Sequence, residues 1–107
     1  MYVAVYAWRV KPGHEERFRE AWRRGTRRIT EIYGSFGSRL HRASDGRFIG
    51  YAEWPDEATW KAAFDARMVY DDPEARAMFV DALEEDSRPG ELLAAMEVTD
   101  DLLTRRG

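Results

Sequence analysis

Residues Phe48 to Phe64, FIGYAEWPDEATWKAAF, hold a strand and then a helix start, and that order decides the fold. Phe48–Trp54 is rich in aromatic and β-branched residues, the composition of a strand. Pro55-Asp56 ends it. Asp56 is placed to cap a helix to about Met68, with Trp60, Ala63, Phe64 and Met68 on one stripe. Trp60 and Phe64 lie four residues apart, the spacing a core helix requires. Tyr51 and Trp54 point to opposite sides of their strand by alternation, so the large rings of this stretch cannot all line one wall.

Moving upstream, Ser38–Ser44 and Arg47–Trp54 flank Asp45-Gly46, a two-residue hairpin signal. A type I′ turn there pairs Arg42 with Ile49, Leu40 with Tyr51 and Ser38 with Glu53 on one side of the sheet. His41 then pairs with Gly50 on the other. Further back, Tyr2–Val10, YVAVYAWRV, reads as a strand ended by the Lys11-Pro12-Gly13 turn. From His14 to about Tyr33 the apolar residues Phe18, Ala21, Trp22, Gly25, Ile29, Ile32 and Tyr33 recur at helical spacing. Glu15 and Glu16 suit the first turn and Gly34 the C-terminal cap.

Downstream, Asp72-Pro73 restarts a helix whose apolar face is Ala75, Met78, Phe79, Ala82 and Leu83. Pro89-Gly90 breaks it, and Glu91–Val98 reads as a last strand. Alternation puts Leu93 and Ala95 on one face of that strand and Leu92, Ala94, Met96 and Val98 on the other. The tail, TDDLLTRRG, either folds over a neighbour or frays.

Strand, helix, strand, strand, helix in two pieces, strand: this is the ferredoxin-like βαββαβ order. It predicts an α+β fold, a four-stranded antiparallel sheet with helices on one face. The chain of 107 residues makes a single domain, 1–107. The first strand is apolar on both sides, Tyr2, Ala4, Tyr6 and Trp8 on one and Val3, Val5 and Ala7 on the other. Helices on one face leave the second as an apolar patch in water, which monomers rarely tolerate. A homodimer through the open sheet face is therefore expected.

Two segments carry a family likeness. In RVKPGHEERFREAW, Arg9–Trp22, a strand passes through a Pro-Gly turn into an amphipathic helix. In YAEWPDEATWKAAF, Tyr51–Phe64, a strand ends in Trp and an Asp-capped helix follows. With the downstream helix and strand, nearly the whole chain resembles the antibiotic biosynthesis monooxygenase (ABM) superfamily of dimeric α+β barrels. That resemblance implies cofactor-independent oxygenation of an aromatic or polyketide-like small molecule, among several activities the superfamily holds. Haem-degrading relatives use an Asn on the first strand, a Trp on the second helix and a later axial His. Here Tyr6 or Trp8 stands at the Asn position, Phe64 about where the Trp would be, and no His follows Pro73. Quinone-forming relatives use an Asn with Trp and Tyr, and the chain contains neither Asn nor Gln. Trp60 and the tyrosines remain of that pattern.

The composition narrows the rest. A net charge of −3 gives no pull toward nucleic acid. The arginines of the first helix interleave with Glu15, Glu16, Glu20 and Glu31 at ion-pair spacing, which reads as a solvated outer face. With no Cys and two isolated histidines, His14 and His41, no usual zinc set forms. There is no Walker or Rossmann glycine pattern, so no cofactor is expected. No apolar run has the length of a membrane span and no signal-type segment begins the chain, so a cytoplasmic protein is expected.

For catalysis, His41 is the best base by type, and Tyr6 the alternative handler of protons. Trp60, Phe64, Trp22 and Tyr6 would shape the cavity. Tyr51 would add a hydroxyl donor and Arg39, on the face of His41, a cation for an anionic substrate. The plainer alternatives are an interface histidine, charges that blunt an edge strand, and a non-catalytic homodimeric module that binds a small apolar ligand.

Overall fold

A computed structural model describes residues 1–104 of the chain. Its elements are β1 (Tyr2–Trp8), α1 (Glu15–Tyr33), β2 (Gly37–Arg42), β3 (Phe48–Trp54), α2 (Glu57–Asp65), α3 (Pro73–Asp81) and β4 (Glu91–Glu97). Short 3₁₀ turns at Met68–Tyr70 and Glu85–Ser87 join the later pieces. The four strands form one antiparallel sheet in the order β2-β3-β1-β4, the ferredoxin-like arrangement.

The local signals act as their chemistry requires. The Asp56 carboxylate accepts from the Thr59 N–H at 2.7 Å and starts α2. The Asp72 carboxylate accepts from the Ala75 N–H at 3.1 Å and starts α3, with Pro73 at the first helical position. α1 ends on Gly34 in the left-handed region. α2 stops at Asp65, short of the expected Met68. Arg67 takes a left-handed conformation there, and Met68 is buried through the following 3₁₀ turn instead.

All three helices pack on the face of the sheet that carries Tyr2, Ala4, Tyr6, Trp8, Phe48, Gly50, Ala52 and Trp54. The core there divides in two. One cluster joins Trp8, Phe18, Phe48, Phe79 and Leu83; the other joins Tyr2, Ala4, Trp54, Trp60 and Met68. Phe18 stands within 4.8–5.6 Å, centroid to centroid, of Trp8, Phe48 and Phe79, a knot of tilted aromatic pairs. The opposite face carries Val5, Ile49, Tyr51, Ala94 and Met96 and no helix crosses it. Met96 there is 45% exposed.

Two readings of register are corrected. The hairpin is not a two-residue type I′ turn. Its loop is three residues, Ser44-Asp45-Gly46, closed by Ala43 N–H donating to the Arg47 carbonyl at 2.8 Å and Gly46 N–H to the Ala43 carbonyl at 2.9 Å. Gly46 sits at φ +91°, the left-handed position of a turn followed by a bulge. The Asp45 carboxylate accepts from the Arg47 N–H at 3.0 Å and fixes this loop over the shorter one. Every pair therefore slips by one residue: Leu40 faces Gly50, Arg39 faces Tyr51, and His41 faces Ile49 rather than Gly50. The slip keeps Leu40 on the helix-covered face, where the burial pattern needs it.

The second correction lies in β4. A bulge between Val5 and Tyr6 pairs Tyr6 with Leu92 but Val5 with Ala94. Leu92 therefore turns to the helix face while Ala94 and Met96 stay on the open one, so these three do not share a face. An extra residue in one strand reverses the alternation on either side of it. Of the tail, Thr99–Thr104 is irregular, with Leu102 93% exposed; the remaining three residues lie outside the described residues.

Candidate functional site

Between the two core clusters, under α1 and over the middle of the sheet, lies a cavity of about 720 Å³. Its origin is visible in the side chains that meet there. α1 presents Ala21, Gly25 and Thr26, and the sheet presents Ser38, Gly50 and Ala52, so small residues face small residues where the aromatic clusters stop. Much of the wall is apolar, from Trp8, Trp22, Trp54, Phe64, Phe79 and Leu92, while Arg28, Asp65, Arg67, Asp72 and Arg76 also line it. Gly50 is also the seat of the Trp8 ring, since a Cβ there would lie 2.7 Å from Trp8 Cη2. The space beside Gly50 is thus taken by Trp8 and is not open to His41.

Tyr6 enters this cavity from the middle of β1. Its hydroxyl accepts a hydrogen bond from Trp60 Nε1 at 3.2 Å. Among the described residues no other side chain bonds that hydroxyl, so its proton can be donated into the cavity. Burial raises the Tyr6 pKa above the ordinary value, and the Trp60 bond offsets part of that rise. A phenol so held stays neutral near pH 7. It is a donor to a developing oxyanion rather than a base.

Arg76, on α3, brings a cation to the same walls. Its guanidinium carbon sits 5.4 Å from the centroids of both the Tyr70 and Phe79 rings. Nη2 lies 3.5 Å from the Pro89 carbonyl, and the buried Nε has no hydrogen-bond partner. Among the described residues no carboxylate pairs with it. The nearby Asp72 is committed elsewhere: Arg24 grips it through Nε at 2.6 Å and Nη2 at 3.0 Å, and this pairing, with the α3 cap, holds its carboxyl below the usual range. A half-buried charge beside two aromatic rings, with no carboxylate partner, attracts an anion.

The residues singled out from the sequence fall into two groups. Tyr6, Trp22 and Phe64 line the cavity, and Trp60 stands behind Tyr6, holding its hydroxyl. Phe64 is at the mouth, 47% exposed, its ring tilted against Trp60 at 5.2 Å. His41, Arg39 and Tyr51 project from the other face of the sheet. His41 is exposed, with Nδ1 3.3 Å from the Ile49 carbonyl, and Arg39 lies across from Tyr51. His41 and Tyr6 therefore do not share a site within one chain. The shared face of Arg39 and His41 is as expected.

Arg76 and Trp54 were not singled out as site residues. Arg76 had left a signal: an Arg beside Ala75 and three residues before Phe79 on an otherwise apolar stripe. For Trp54 the alternation showed only its face, and its Nε1, buried without a hydrogen-bond partner among the described residues, had no trace in the sequence.

The family model for antibiotic biosynthesis monooxygenase matches residues 1–69, well over half of the chain. The chain belongs to this family. Solved ABM-like structures superpose on nearly its whole length. A monooxygenase from the gene ActVA-Orf6 of Streptomyces coelicolor, in complex with Nanaomycin D, is 23% identical with TM-score 0.67, covering 97% of this chain and 92% of that one. A variant of SnoaB, a cofactor-independent oxygenase from Streptomyces nogalater, is 14% identical with TM-score 0.69, covering 94% and 95%. A Bordetella bronchiseptica structure bearing the same family description is 19% identical with TM-score 0.71, covering 91% and 95%. No curated protein sequence matches the chain. At these identities the likeness speaks for the fold and not for a reaction. Among the described residues no helix is long and apolar enough to cross a membrane.

Proposed function

We propose that the protein is a cofactor-independent monooxygenase acting on a small, electron-rich aromatic, of anthrone or hydroquinone type. The observation that carries this reading is the apolar cavity of about 720 Å³ with an unpaired cation and a neutral hydroxyl donor in its walls. Family membership adds to it.

The reaction balances without an external reductant. A ring CH₂ between two aromatic rings, conjugated through them to a carbonyl across the central ring, loses a proton to solvent at the cavity mouth, and the resulting anion gives one electron to dioxygen. Recombination of the radical pair forms a C–O bond; loss of water from the hydroperoxide leaves a carbonyl. In sum, CH₂ and O₂ become C=O and H₂O, with all four electrons drawn from the substrate. Arg76 lowers the cost of the first anion, Tyr6 donates to its oxygen, and the aromatic walls keep water away from the radical pair. Oxygen uptake and carbonyl product on mixing with an anthrone test the proposal; no uptake above the uncatalysed rate sinks it.

The protein works as a homodimer in this reading, with the open sheet faces of two copies apposed. Val5, Ile49, Tyr51 and Met96 would lose their exposure to water, and Arg39 and His41 would lie at that interface. His41 would then serve the interface, or a proton path through it, and Tyr6 the cavity.

One observation favours a second reading. Among the described residues no free base lines the cavity: Tyr6 stays neutral, His41 lies behind the sheet, and the lining carboxylates Asp65 and Asp72 are paired with Lys61 and Arg24. A non-catalytic dimer that binds a small apolar anion would need only the cavity and Arg76. Binding of an anthrone without oxygen uptake supports this reading.

A further inference from the structure

The connection from α2 to α3 passes through Arg67, which stands at φ 56° and ψ 53°. Among the described residues it alone, glycines aside, has a positive φ. A side chain with a Cβ is strained in that region, and such strain persists only where the surrounding structure holds it, often at ligand clamps and switches. Here the hold is local. The Arg67 N–H donates to the Phe64 carbonyl at 3.1 Å, and the Arg67 carbonyl accepts from the Tyr70 N–H at 2.9 Å. Among the described residues the Arg67 side chain forms no hydrogen bond or ion pair, so no contact of its own compensates the strain.

Beyond this bend the chain runs along the mouth of the cavity. Arg67, Met68, Val69 and Tyr70 all line it, and of the four only Met68 is buried. Val69 is 40% exposed and Tyr70 53%, so two large apolar side chains stand half in water over an apolar space. The far end is tied to α1 by the grip of Arg24 on Asp72. A short inward turn is open to a segment tethered in this way, and a swing away from the cavity is not. Met68 can follow such a turn inside the core, since its unbranched side chain repacks readily.

Resting on the reading of this cavity as the ligand site, we infer that residues 66–71 are a strap that closes over the occupied cavity, with Arg67 leaving the left-handed region as it does so. The empty cavity gives Val69 and Tyr70 no surface to cover. A flat apolar ligand does, and their burial against it drives the turn. The strain held at Arg67 in the open form is released in the closed one. It therefore adds to ligand affinity and subtracts from the stability of the empty protein.

Two neutral amides at position 67 test this. Arg67→Asn and Arg67→Gln both remove the charge, and only Asn sits readily in the left-handed region. The probe is 1-naphthol, titrated calorimetrically near pH 7, where it is uncharged. Without ligand, Arg67→Asn should melt higher than Arg67→Gln; it should also bind naphthol about threefold more weakly. Opposite signs in the two measurements are the mark of strain that closure releases. In the unaltered protein, amide hydrogen exchange over residues 68–71 should slow several-fold when naphthol binds, while the hairpin loop 44–46 exchanges as before. Equal melting temperatures and affinities in the two variants overturn the inference. So does tighter binding by Arg67→Asn, or exchange over 68–71 that is indifferent to bound naphthol; each leaves the cavity as a ligand site. If the unaltered protein does not bind naphthol, the cavity reading falls and takes the inference with it.

Discussion

The indole N–H of Trp60 reaches the hydroxyl of Tyr6 at 3.2 Å, joining α2 to the middle of β1. Trp60 is 7% exposed, so the bond is made where water cannot replace it. It also aims the remaining Tyr6 proton at the cavity.

Tyr6→Phe should leave the Trp60 N–H unpaired and cost about 1–3 kcal/mol, measured by urea unfolding. It should also blunt the loss of stability in alkali. The Tyr6 pKa is raised in the fold, so its contribution is complete below the ordinary tyrosine value near pH 10 and is lost as pH rises through the higher folded value. If the unaltered protein and the variant lose stability alike above about pH 10, Tyr6 is not the group responsible.

Asp72 makes the opposite prediction in acid. Its folded pKa is depressed by Arg24 and by the Ala75 N–H, so its contribution is present above the ordinary carboxylate value and lost as pH falls through the lower folded value. Asp72→Asn keeps a capping side chain and removes the charge. The gap in melting temperature between the two proteins should be present at neutral pH and close below about pH 4, the ordinary Asp range. A gap that persists into stronger acid contradicts the pairing.

Trp8 is held between two glycines. Cβ atoms added at Gly50 or at Gly90 would both run into its ring, and Gly90 also stands at φ +124°. Gly50→Ala should destabilise by about 1–3 kcal/mol through overpacking. Gly90→Ala should cost more, because a side chain at that φ is strained as well. Thermal unfolding of the two variants side by side checks the order.

Arg76→Met should remove the cation and keep most of the packing. A phenol titrated while bound to the unaltered protein should ionise at lower pH than in water, and in the variant that depression should vanish. Phenolate absorbance against pH reads this directly; an unchanged midpoint would show that Arg76 does not face the ligand.

The proposed dimer is tested by sedimentation at micromolar concentration. The unaltered chain should run as a dimer, and Val5→Glu, which places a charge in the centre of the open face, should run as a monomer. A monomeric unaltered chain removes the proposed interface.

What the sequence determined by itself was local. Asp56, Asp72 and Gly34 mark helix ends by chemistry that reaches only a few residues, and the run of strands and helices they delimit allows few sheets. The four-stranded ferredoxin-like sheet was legible from the order of the elements, and the stripe that carries Trp60 and Phe64 from its helical period; which face of the sheet the helices cover, and that a cavity remains beneath them, were not. The tertiary structure decided what depends on a single residue of register or on side chains far apart in the chain. The Asp45 carboxylate chose a three-residue loop, and the bulge beside Tyr6 turned Leu92 inward; each step of one reverses a face. His41 and Tyr6 are thereby separated by the thickness of the sheet. Arg76 and Trp54 stand out only once their partners, or the lack of them, are placed in space, because an unsatisfied donor is a property of its surroundings and not of its own residue type.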